Sequence, residues 1–565
     1  ETQKPPMGNP EDAEEAKPEE AATVTYREGT KRMRSTVKTA ALMSLDLPLA
    51  TVPAVDQDDK GELAPMVITG SNIPTVELEG PSPIVRIDRE EINRSGAETV
   101  GELLRRLPQN NAGSFDEKSW KSIAPGTSGV SLRGMGMSYT LVLVDGRRLG
   151  NYSMAQNMTT SFSDFITTSF SDLNGVPLAV VERVEVLLDG ASAIYGSDAV
   201  AGVINIITRD NFDGLEINVG YSNTTDDDMA TQRYSITGGT VSENGNAWVN
   251  IDYLQRNSMQ MDDRDYSASA DQRSAGGYDA GGKGYNFSSS ASNPGSIMIL
   301  KGSEFYNVPV NSTGYPTVEE IIKPKPYNNK FNFNPWMTLT PEIERYSASG
   351  RVNYTLTDYA SAFVHTTYRN LKTHQDMAPT ELFGDYNLDT WGRLPAENAF
   401  NPFREDVSFR HRLIEVGPRV IDIDSDIFRV LSGVKFDIGD SWQAETAFLY
   451  NSVESVVFGR NFVSVDALKD ALASSDPATA YNIFGAGLGI NSPDVLDGLR
   501  ANTKRRAQSE LQMWDVKAAG DLYELPGGTM AMAVGFEHAK EEVSDVGDSL
   551  SMANKIVAPE ATSIA

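Results

Sequence analysis

The chain has 565 residues, of which 49 are basic and 78 acidic, and it contains no cysteine. A formal net charge of −29 argues against a nucleic-acid partner, because binding to a phosphate backbone requires a basic face. Disulfides and thiolate metal sites are excluded, and the 4 histidines are too scattered to predict a metal centre. Apolar runs are shorter than the ~20 residues of a membrane helix. The chain is therefore either soluble or crosses a membrane as strands, which hydropathy does not detect.

Residues 1–62 are predicted to be a disordered acidic segment, because Glu, Pro and Ala dominate and apolar periodicity is missing. Within it, the stretch 31–56 has basic residues followed by a short apolar core, the outline of a secretory signal. Asp46 interrupts that core, and Asp56 stands where a small residue is expected. We interpret the stretch as a damaged or mis-started signal peptide, with a random linker as the alternative.

Residues 71–210 are predicted to form a compact unit of strands and helices. Strands are expected at 83–87, 130–134 and 140–148, the last with a turn at Asp145-Gly146, and helices at 90–92 and 99–107. The stretch 183–209 then alternates charged and apolar residues, passes through a short turn punctuated by glycines, and ends in a β-branched strand.

After residue 211 the pattern changes to repeated hairpins of long alternating segments. Segments of ~10 residues suit strands with one face toward lipid and one toward a wet lumen, whereas strands of a soluble sandwich usually have ~5–6 residues. Nine strands are predicted, at 213–223, 230–241, 246–257, 344–356, 359–371, 426–438, 441–457, 509–523 and 528–543. Long loops are expected at 258–343, 372–425 and 458–508. Every tight turn falls on the periplasmic side if the first strand starts there, as in outer-membrane barrels.

The ordered landmarks resemble those of the TonB-dependent outer-membrane receptors. They are Ile84-Val85-Arg86, Glu102-Leu103-Leu104, Leu132-Arg133-Gly134, Val142-Leu143-Val144-Asp145-Gly146 and the stretch 183–209. The resemblance implies an α+β plug domain at 71–210, followed by an antiparallel transmembrane β-barrel at 211–565. Barrels of this family have twenty-two strands, so about nine predict an incomplete barrel. We therefore expect a C-terminal fragment and, without an initiator Met, an N-terminal one as well.

The resemblance also implies a function. It predicts a receptor of the bacterial cell outer membrane that takes up a scarce or bulky ligand, such as a ferric siderophore, cobalamin or an oligosaccharide. The expected partners are a TonB-type energy-transducing protein of the inner membrane, the ligand and outer-membrane lipid, without a cofactor. The sequence shows neither a nucleophile–base pair nor a phosphate loop, so we do not expect an enzyme. The alternatives are a ligand-binding or signalling receptor without transport, and a soluble interaction protein built from a plug and a β-sandwich.

Two groups of plug residues follow from the resemblance. Residues 63–70 correspond to the TonB box, an extended segment that adds as a strand to a partner, although a first plug strand is the alternative. Its predicted partner-binding residues are Pro65, Met66, Val67, Ile68 and Thr69. The plug signature comprises Arg133, Gly134, Asp145, Gly146, Arg183, Glu185, Gly190, Tyr195, Gly196, Gly202 and Asn205. Arg133 and Arg183 are expected to pair with Glu185, Asp145 or acids of the barrel wall, or else to form ordinary surface pairs.

Ligand contacts are predicted on the plug apex, at 113–129 and 151–174, and on the long loops. Aromatic side chains beside Asn and Asp suit stacking on sugars or aromatic siderophores, with packing inside the loops as the alternative. The candidates are Tyr327, Phe331, Phe333, Trp336, Phe383, Tyr386 and Trp391. The acidic runs 226–228 and 262–263 suit either calcium or solvated charge.

Overall fold

The structure is a computed structural model. It describes residues 41–44, 69–71, 83–111, 113–118, 124–154, 156–159, 165–274, 285–300, 305–321, 329–439, 441–526 and 528–557. These residues all belong to one compact unit, Lys38–Ala565. In the part of the chain just given, no helix is long and apolar enough to span a membrane.

The plug is built on a five-stranded sheet. Its strands, in spatial order, are Ile84–Asp88, Val181–Leu187, Gly202–Thr208, Thr140–Val144 and Arg147–Arg148. Thr140–Val144 pairs in parallel with Gly202–Thr208, and both are nearly continuous apolar runs, as expected of strands buried on two faces. The helices Arg89–Ser95 and Val100–Leu104 complete the core, the second ending three residues earlier than predicted.

One predicted plug strand is wrong. Residues 130–134 make only the isolated bridge between Asn110 and Leu132, with a second bridge just before them between Phe115 and Gly129. Ser131 and Leu132 are fully buried and their amides are satisfied by the Ser114 and Thr140 side chains. The segment is therefore as buried as a central strand but lacks the continuous backbone hydrogen bonds of one. Its apolar sequence pattern reflects this burial, which is why the pattern predicts a strand.

Nine long strands form the wall around the plug. They are β1 Gly214–Ser222, β2 Thr231–Ser242, β3 Gly245–Arg256, β4 Glu342–Thr357, β5 Ala360–Met377, β6 Arg419–Ile438, β7 Trp442–Val463, β8 Arg500–Leu525 and β9 Gly528–Gly547. Each pairs antiparallel with the next, which confirms the predicted meander. A short strand, Ala41–Ser44, pairs with β1 from within the signal-like stretch. Among the described residues β9 pairs only with β8, so the sheet is open, as an incomplete barrel predicts.

All tight turns lie at one end of the wall, as predicted. They connect β2 to β3, β4 to β5, β6 to β7 and β8 to β9. The strands extend further than predicted at the other end, because β6 begins at Arg419 instead of 426 and β8 at Arg500 instead of 509.

The long connections are more ordered than the predicted loops. They contain a second sheet of the strands Ser296–Ile299, Phe305–Asn307, Glu381–Phe383, Arg393–Leu394 and Val407–Arg412. The helices Val465–Ala473 and Pro493–Leu499 pack with it around a buried core that includes Phe409, Tyr481 and Phe484. These connections therefore form a folded cap with its own hydrophobic core, which burial of apolar area stabilises.

The remaining elements are short. The strands are Gln156–Thr159, Phe165–Thr168, Met259–Gln260 and Thr338–Thr340, and the α-helical turns are Val318–Ile321 and Ser549–Met552, with Ser192–Tyr195 in the plug. The 3-10 helices are Met137–Tyr139, Leu173–Gly175, Leu178–Val180, Met261–Asp263, Asn334–Trp336 and Gly384–Tyr386.

The inner face of the wall carries buried polar and charged side chains among apolar ones such as Phe363 and Leu431, and the outer face carries exposed apolar side chains. On β4, Arg345, Ser347, Ser349 and Arg351 point toward the plug and are buried. The alternating residues, among them Tyr346, Val352 and Tyr354, are exposed on the opposite face. This is the reverse of a soluble sandwich, whose strands bury their apolar side chains between two sheets.

Candidate functional site

The end of the segment 63–70, which the sequence predicts to be a TonB box, is hydrogen-bonded to the plug sheet. Pro65, Met66, Val67 and Ile68 lie outside the described residues, whereas Thr69 is only 3% exposed. Its amide and hydroxyl groups donate hydrogen bonds to Glu185 Oε2 at 3.0 and 2.6 Å. Asn205 Nδ2 donates to the Thr69 hydroxyl at 3.0 Å. Thr69 is therefore held by the side chains of Glu185 and Asn205, which lie on neighbouring plug strands and both belong to the predicted signature.

The next residue is held by a third signature side chain. The Gly70 amide donates a hydrogen bond to the Tyr195 hydroxyl at 3.1 Å. Burial raises the pKa of Tyr195, and the nearby Glu185 carboxylate raises it further against the opposing bond from Gly70. The phenol therefore stays neutral at physiological pH and accepts this bond while remaining able to donate one. We name Thr69, Gly70, Glu185, Tyr195 and Asn205 the anchor cluster.

The anchor cluster is connected to the turn at Asp145-Gly146. Asn205 Oδ1 accepts a hydrogen bond from the Gly146 amide at 3.1 Å. Asp145 and Gly146 have φ values of 52° and 75°, the left-handed pair that a two-residue hairpin requires and that Asp-Gly favours. The turn predicted from the sequence is thus confirmed, and it joins Thr140–Val144 to Arg147–Arg148.

The Asp145 carboxylate lies between the plug and the wall. It accepts hydrogen bonds from the Thr208 amide and hydroxyl groups, and His365 Nδ1 and Arg351 Nη1 of the wall lie 3.1 and 3.6 Å away. Burial alone would raise the pKa of Asp145. The hydrogen bond to His365 and the positive charges around it outweigh burial and hold this pKa far below its usual range. Asp145 therefore remains ionised and ties the plug to the wall.

Two further plug carboxylates bind wall arginines that sequence reasoning missed. Glu117 accepts hydrogen bonds from Arg256 at 2.8 Å and Arg345 at 3.1 Å. Burial opposes ionisation of Glu117, but the two guanidinium groups lower its pKa below the ordinary value. Asp172 pairs with Arg369 at 2.5 Å. The two partners of each pair are more than a hundred residues apart in the sequence, so no local sequence pattern predicts their contact.

One plug arginine makes the opposite pairing. Arg147 forms a bidentate pair with Asp515, at 2.8 and 2.9 Å, and a second ion pair with Glu445. Lys517 approaches Glu445 at 3.8 Å. Carboxylates of the plug thus pair with arginines of the wall, and Arg147 of the plug pairs with carboxylates of the wall. This pairing limits the cost of desolvating these buried charges.

The two predicted signature arginines behave differently. Arg183 Nε donates to Glu185 Oε1 at 2.8 Å, so the second oxygen of this carboxylate is left for Thr69. Arg133 has a φ of 56° and donates from Nη2 to the Ala201 carbonyl oxygen at 2.9 Å, without an ion pair among the described residues. Arg183 is thus part of the anchor surroundings, whereas Arg133 fastens a backbone turn.

The signature glycines lie around the same sheet. Gly134 follows Leu132 in a turn, Gly190 precedes the helical turn Ser192–Tyr195, and Gly196 follows it. Gly202 has the strictest requirement, because a Cβ there would lie 2.5 Å from the Leu187 carbonyl oxygen and its φ is +140°. This close approach allows Val181–Leu187 and Gly202–Thr208 to pair at their ends.

The predicted ligand-contact residues mostly contact other cap residues. Arg410 stacks on the rings of Phe305, Phe383 and Tyr386, with its carbon 4.6, 5.6 and 5.4 Å from the ring centroids, and it pairs with Asp385. Tyr386 is nevertheless 77% exposed.

The other candidates are less accessible. Trp391 is 8% exposed and belongs to the cap core, and Phe331 stacks under Arg412 at 5.2 Å, 6.4 Å from Trp336. Phe333 is half-buried before the turn Asn334–Trp336, and Tyr327 lies outside the described residues.

The acidic run 226–228 is engaged by an arginine. Arg264 pairs with Asp228 and lies 3.7 Å from Asp226. In the described part of the chain, no group of three or more His, Cys, Asp or Glu side chains has metal-binding geometry.

Comparison with known proteins identifies the plug. Residues 77–203 match the family model described as TonB-dependent Receptor Plug Domain. A mutant of the ferric enterobactin receptor of Pseudomonas aeruginosa is 14% identical with a TM-score of 0.40, over 83% of this chain and 56% of that one. The siderophore receptor PiuA of Acinetobacter baumannii is 14% identical with a TM-score of 0.34, over 84% and 62%. The ferric citrate transporter FecA is 12% identical with a TM-score of 0.40, over 83% and 59%.

The chain thus spans less than two thirds of the length of these solved structures. The family match covers all five landmarks except the last residues of the fifth, and it includes the plug sheet except its final residues. Residues 77–203 belong to the plug domain family of the TonB-dependent receptors.

Proposed function

We propose that this chain is part of an outer-membrane receptor that imports a scarce or bulky ligand and is driven by a TonB-type protein of the inner membrane. The observation that carries the proposal is the plug domain at 77–203, which is enclosed by strands whose inner side chains pair with it. A plug that fills the wall blocks free diffusion, so passage of a ligand requires work on the plug. This role is transport, without a chemical step.

The outer face of the wall supports a location in the outer membrane. Its exposed apolar side chains include Ile236, Val249, Ile251, Val364 and Phe448, spread over β2, β3, β5 and β7. Contiguous apolar surface of this extent is unfavourable in water and is stabilised by contact with lipid. Antiparallel pairing between neighbouring wall strands also satisfies backbone groups that a bilayer cannot hydrate.

The anchor cluster supports the proposed TonB contact. Thr69 and Gly70 fix the end of the segment, so a partner that adds a strand to residues 63–68 would pull directly on Glu185, Tyr195 and Asn205. The loop aromatics remain candidates for ligand capture, and Tyr386 is the most exposed of those that the structure describes.

The test is a proline substitution in the proposed TonB-binding segment. Val67→Pro removes a backbone donor and prevents strand addition, while all described plug contacts are kept. Cells that make the intact protein are given a panel of radioiron-loaded siderophores, labelled cobalamin and labelled oligosaccharides. We expect the variant to bind one of these at the cell surface and to lose its uptake.

Val67→Ala is the matched control, because it shortens the same side chain and keeps the amide. It should retain both binding and uptake. Uptake by Val67→Pro at the rate of the Val67→Ala control would contradict a TonB-driven mechanism. The ligand class is identified separately, as the one whose binding to the cell surface is lost in a strain that lacks the protein.

A further inference from the structure

The inner face of the wall carries arginines at regular steps. They come from four neighbouring strands and are all less than a tenth exposed, with Arg256 and Arg369 at 0%. From the end with the long connections toward the end with the tight turns, they are Arg256 on β3, Arg345 on β4, Arg369 on β5, Arg429 on β6 and Arg351 on β4. We name these five residues the arginine staircase.

The strand register shows that the steps are consecutive. Five successive inward residues of β5 are Thr373, Leu371, Arg369, Thr367 and His365. Arg345 pairs with Leu371, Arg429 with Thr367 and Arg351 with His365, and Arg256 joins the Thr373 row through Ile343. Each of these five inward rows therefore holds one arginine on β3–β6. At roughly 3.3 Å per residue, the staircase runs about 26 Å along the strands, close to the thickness of the apolar band of such a wall.

The counter-charges of the staircase belong almost entirely to the plug. Arg256 and Arg345 share Glu117, and Arg369 pairs with Asp172. Arg351 approaches Asp145 and pairs with Asp210. These four carboxylates all lie within residues 71–210, so they move with the plug. Once the plug is displaced, five arginines would face the lumen with their partners removed.

Several guanidinium N–H groups of the arginine staircase make no hydrogen bond among the described residues. Arg256 Nε, Arg369 Nε and Nη2, and Arg429 Nε are buried and have no hydrogen-bond partner among the described residues. Arg429 donates from Nη2 only to the Val144 carbonyl oxygen, at 3.1 Å. A guanidinium group offers five donors in a planar fork that matches paired oxygen anions. More donors are therefore present than the plug carboxylates use.

We infer that the arginine staircase is a path for a polyanionic cargo that presents several oxygen anions. This inference rests on the proposed function and narrows its ligand class, because a neutral oligosaccharide would form no ion pairs with the five arginines, whereas oxygen anions would. The cargo would exchange its hydration for one or two guanidinium groups at each row and pass to the next row, as the plug carboxylates leave. Arginines that served only to hold the plug would need no continuous row-by-row spacing.

The test measures ion selectivity of the intact protein in a planar bilayer. Urea displaces the soluble plug domain from the embedded wall, and the reversal potential is read in a KCl gradient, with chloride and potassium as the probes. We expect a channel that prefers chloride. The triple variant Arg369→Gln/Arg429→Gln/Arg351→Gln should shift the reversal potential toward potassium, because it removes three of the five charges.

Two further variants keep the result decisive. The triple change of the same residues to Lys should preserve chloride preference, because the charges remain. Arg506→Gln alters an outward arginine on β8 that is 65% exposed and should leave the reversal potential unchanged. A wild-type channel that prefers potassium, or an equal shift in Arg506→Gln, would overturn the inference while leaving the transporter proposal intact. Failure to form any channel would overturn both.

Discussion

Thr69 is the residue at which a pull on the segment 63–68 would enter the plug. Its two hydrogen bonds to Glu185 and its bond from Asn205 reach neighbouring strands of the plug sheet. Asn205 in turn holds the Gly146 amide, and Asp145 of the same turn contacts the wall. Displacing Thr69 therefore acts first on the inner strands of the plug and then on one of its attachments to the wall.

Tyr195→Phe tests the anchor cluster at a single bond. The change removes the acceptor of the Gly70 amide and little else, because the ring remains in place. Loss of one such hydrogen bond costs about 1 kcal/mol, which corresponds to roughly fivefold faster hydrogen exchange at this amide if it exchanges by local opening. The measurement is hydrogen–deuterium exchange of the intact protein, read on peptides that contain residues 69–71.

Tyr139→Phe is the matched control, because Tyr139 is an exposed tyrosine on the same domain. It should leave exchange at residues 69–71 unchanged. If Tyr195→Phe also leaves this exchange unchanged, the anchor cluster does not hold the segment.

At the scale of elements, the plug is joined to the wall by buried ion pairs rather than by apolar packing alone. Glu117 is 4% exposed and serves two wall strands at once, through Arg256 on β3 and Arg345 on β4. Such pairs contribute little net stability compared with an apolar contact, but removing one partner leaves buried charge without compensation. The attachment therefore depends on both partners being present, and it becomes reversible once water reaches the ion pairs.

Glu117→Gln should weaken the plug and remove part of its acid sensitivity. At neutral pH the change leaves two arginines without their carboxylate and should cost about 3–5 kcal/mol of plug stability. Because the pKa of Glu117 is lowered in the folded protein, its contribution is complete above the unfolded value near 4.3 and is lost as the pH falls below it. The difference between wild type and variant should therefore shrink in acid.

The measurement is the midpoint of urea-induced plug unfolding, followed by circular dichroism across a pH series. Glu102→Gln serves as control, since Glu102 is a half-buried plug carboxylate that lies 3.7 Å from Lys118 and accepts a hydrogen bond from the Glu98 amide, which the Gln side-chain oxygen can also accept. A wild-type-to-variant difference that stays constant down to the lowest pH would contradict the assigned role of Glu117.

The elements differ in how far the sequence predicts them. All nine wall strands are found from alternation, because an exposed apolar outer face and an inner face against the plug impose it residue by residue. The extension of β8 is not predicted because residues 500–506 are mostly polar on both faces. The extension of β6 is not predicted because its alternation is reversed there, with Ile421 and Ile423 buried on the inner face. The anchor residues of the signature are recognisable locally, whereas Glu117 and the cap core depend on contacts between distant segments.

At the scale of the whole molecule, the wall presents one apolar surface outside and one charged surface inside. The inner charges suit a polar plug, and the outer side chains suit lipid. The long connections form a folded cap at one end, while tight turns connect the strands at the other. The two ends of the wall thus differ in structure, and the proposed function assigns the ligand to the cap and the energy-transducing protein to the turns.

The depth of the wall in lipid can be tested with one strand. Ile251 lies at the middle of the outer face of β3, is 62% exposed, and pairs with Ile236 on β2 and Ala348 on β4. A lysine at the midplane of a bilayer costs a transmembrane barrel about 2–4 kcal/mol, and one near the interface about 0–1 kcal/mol. Ile251→Lys should therefore destabilise folding of the intact protein into lipid vesicles by the larger amount.

Gln255→Lys provides the comparison, because Gln255 faces outward on the same strand and lies one residue from its end. It introduces the same charge where the headgroups are expected, so its effect should be small. The free energies of folding into vesicles, measured by urea titration, distinguish the possibilities. Equal small effects of the two lysines would place this face in water and favour a soluble sheet, whereas a large effect of Ile251→Lys alone places the middle of β3 at the bilayer midplane.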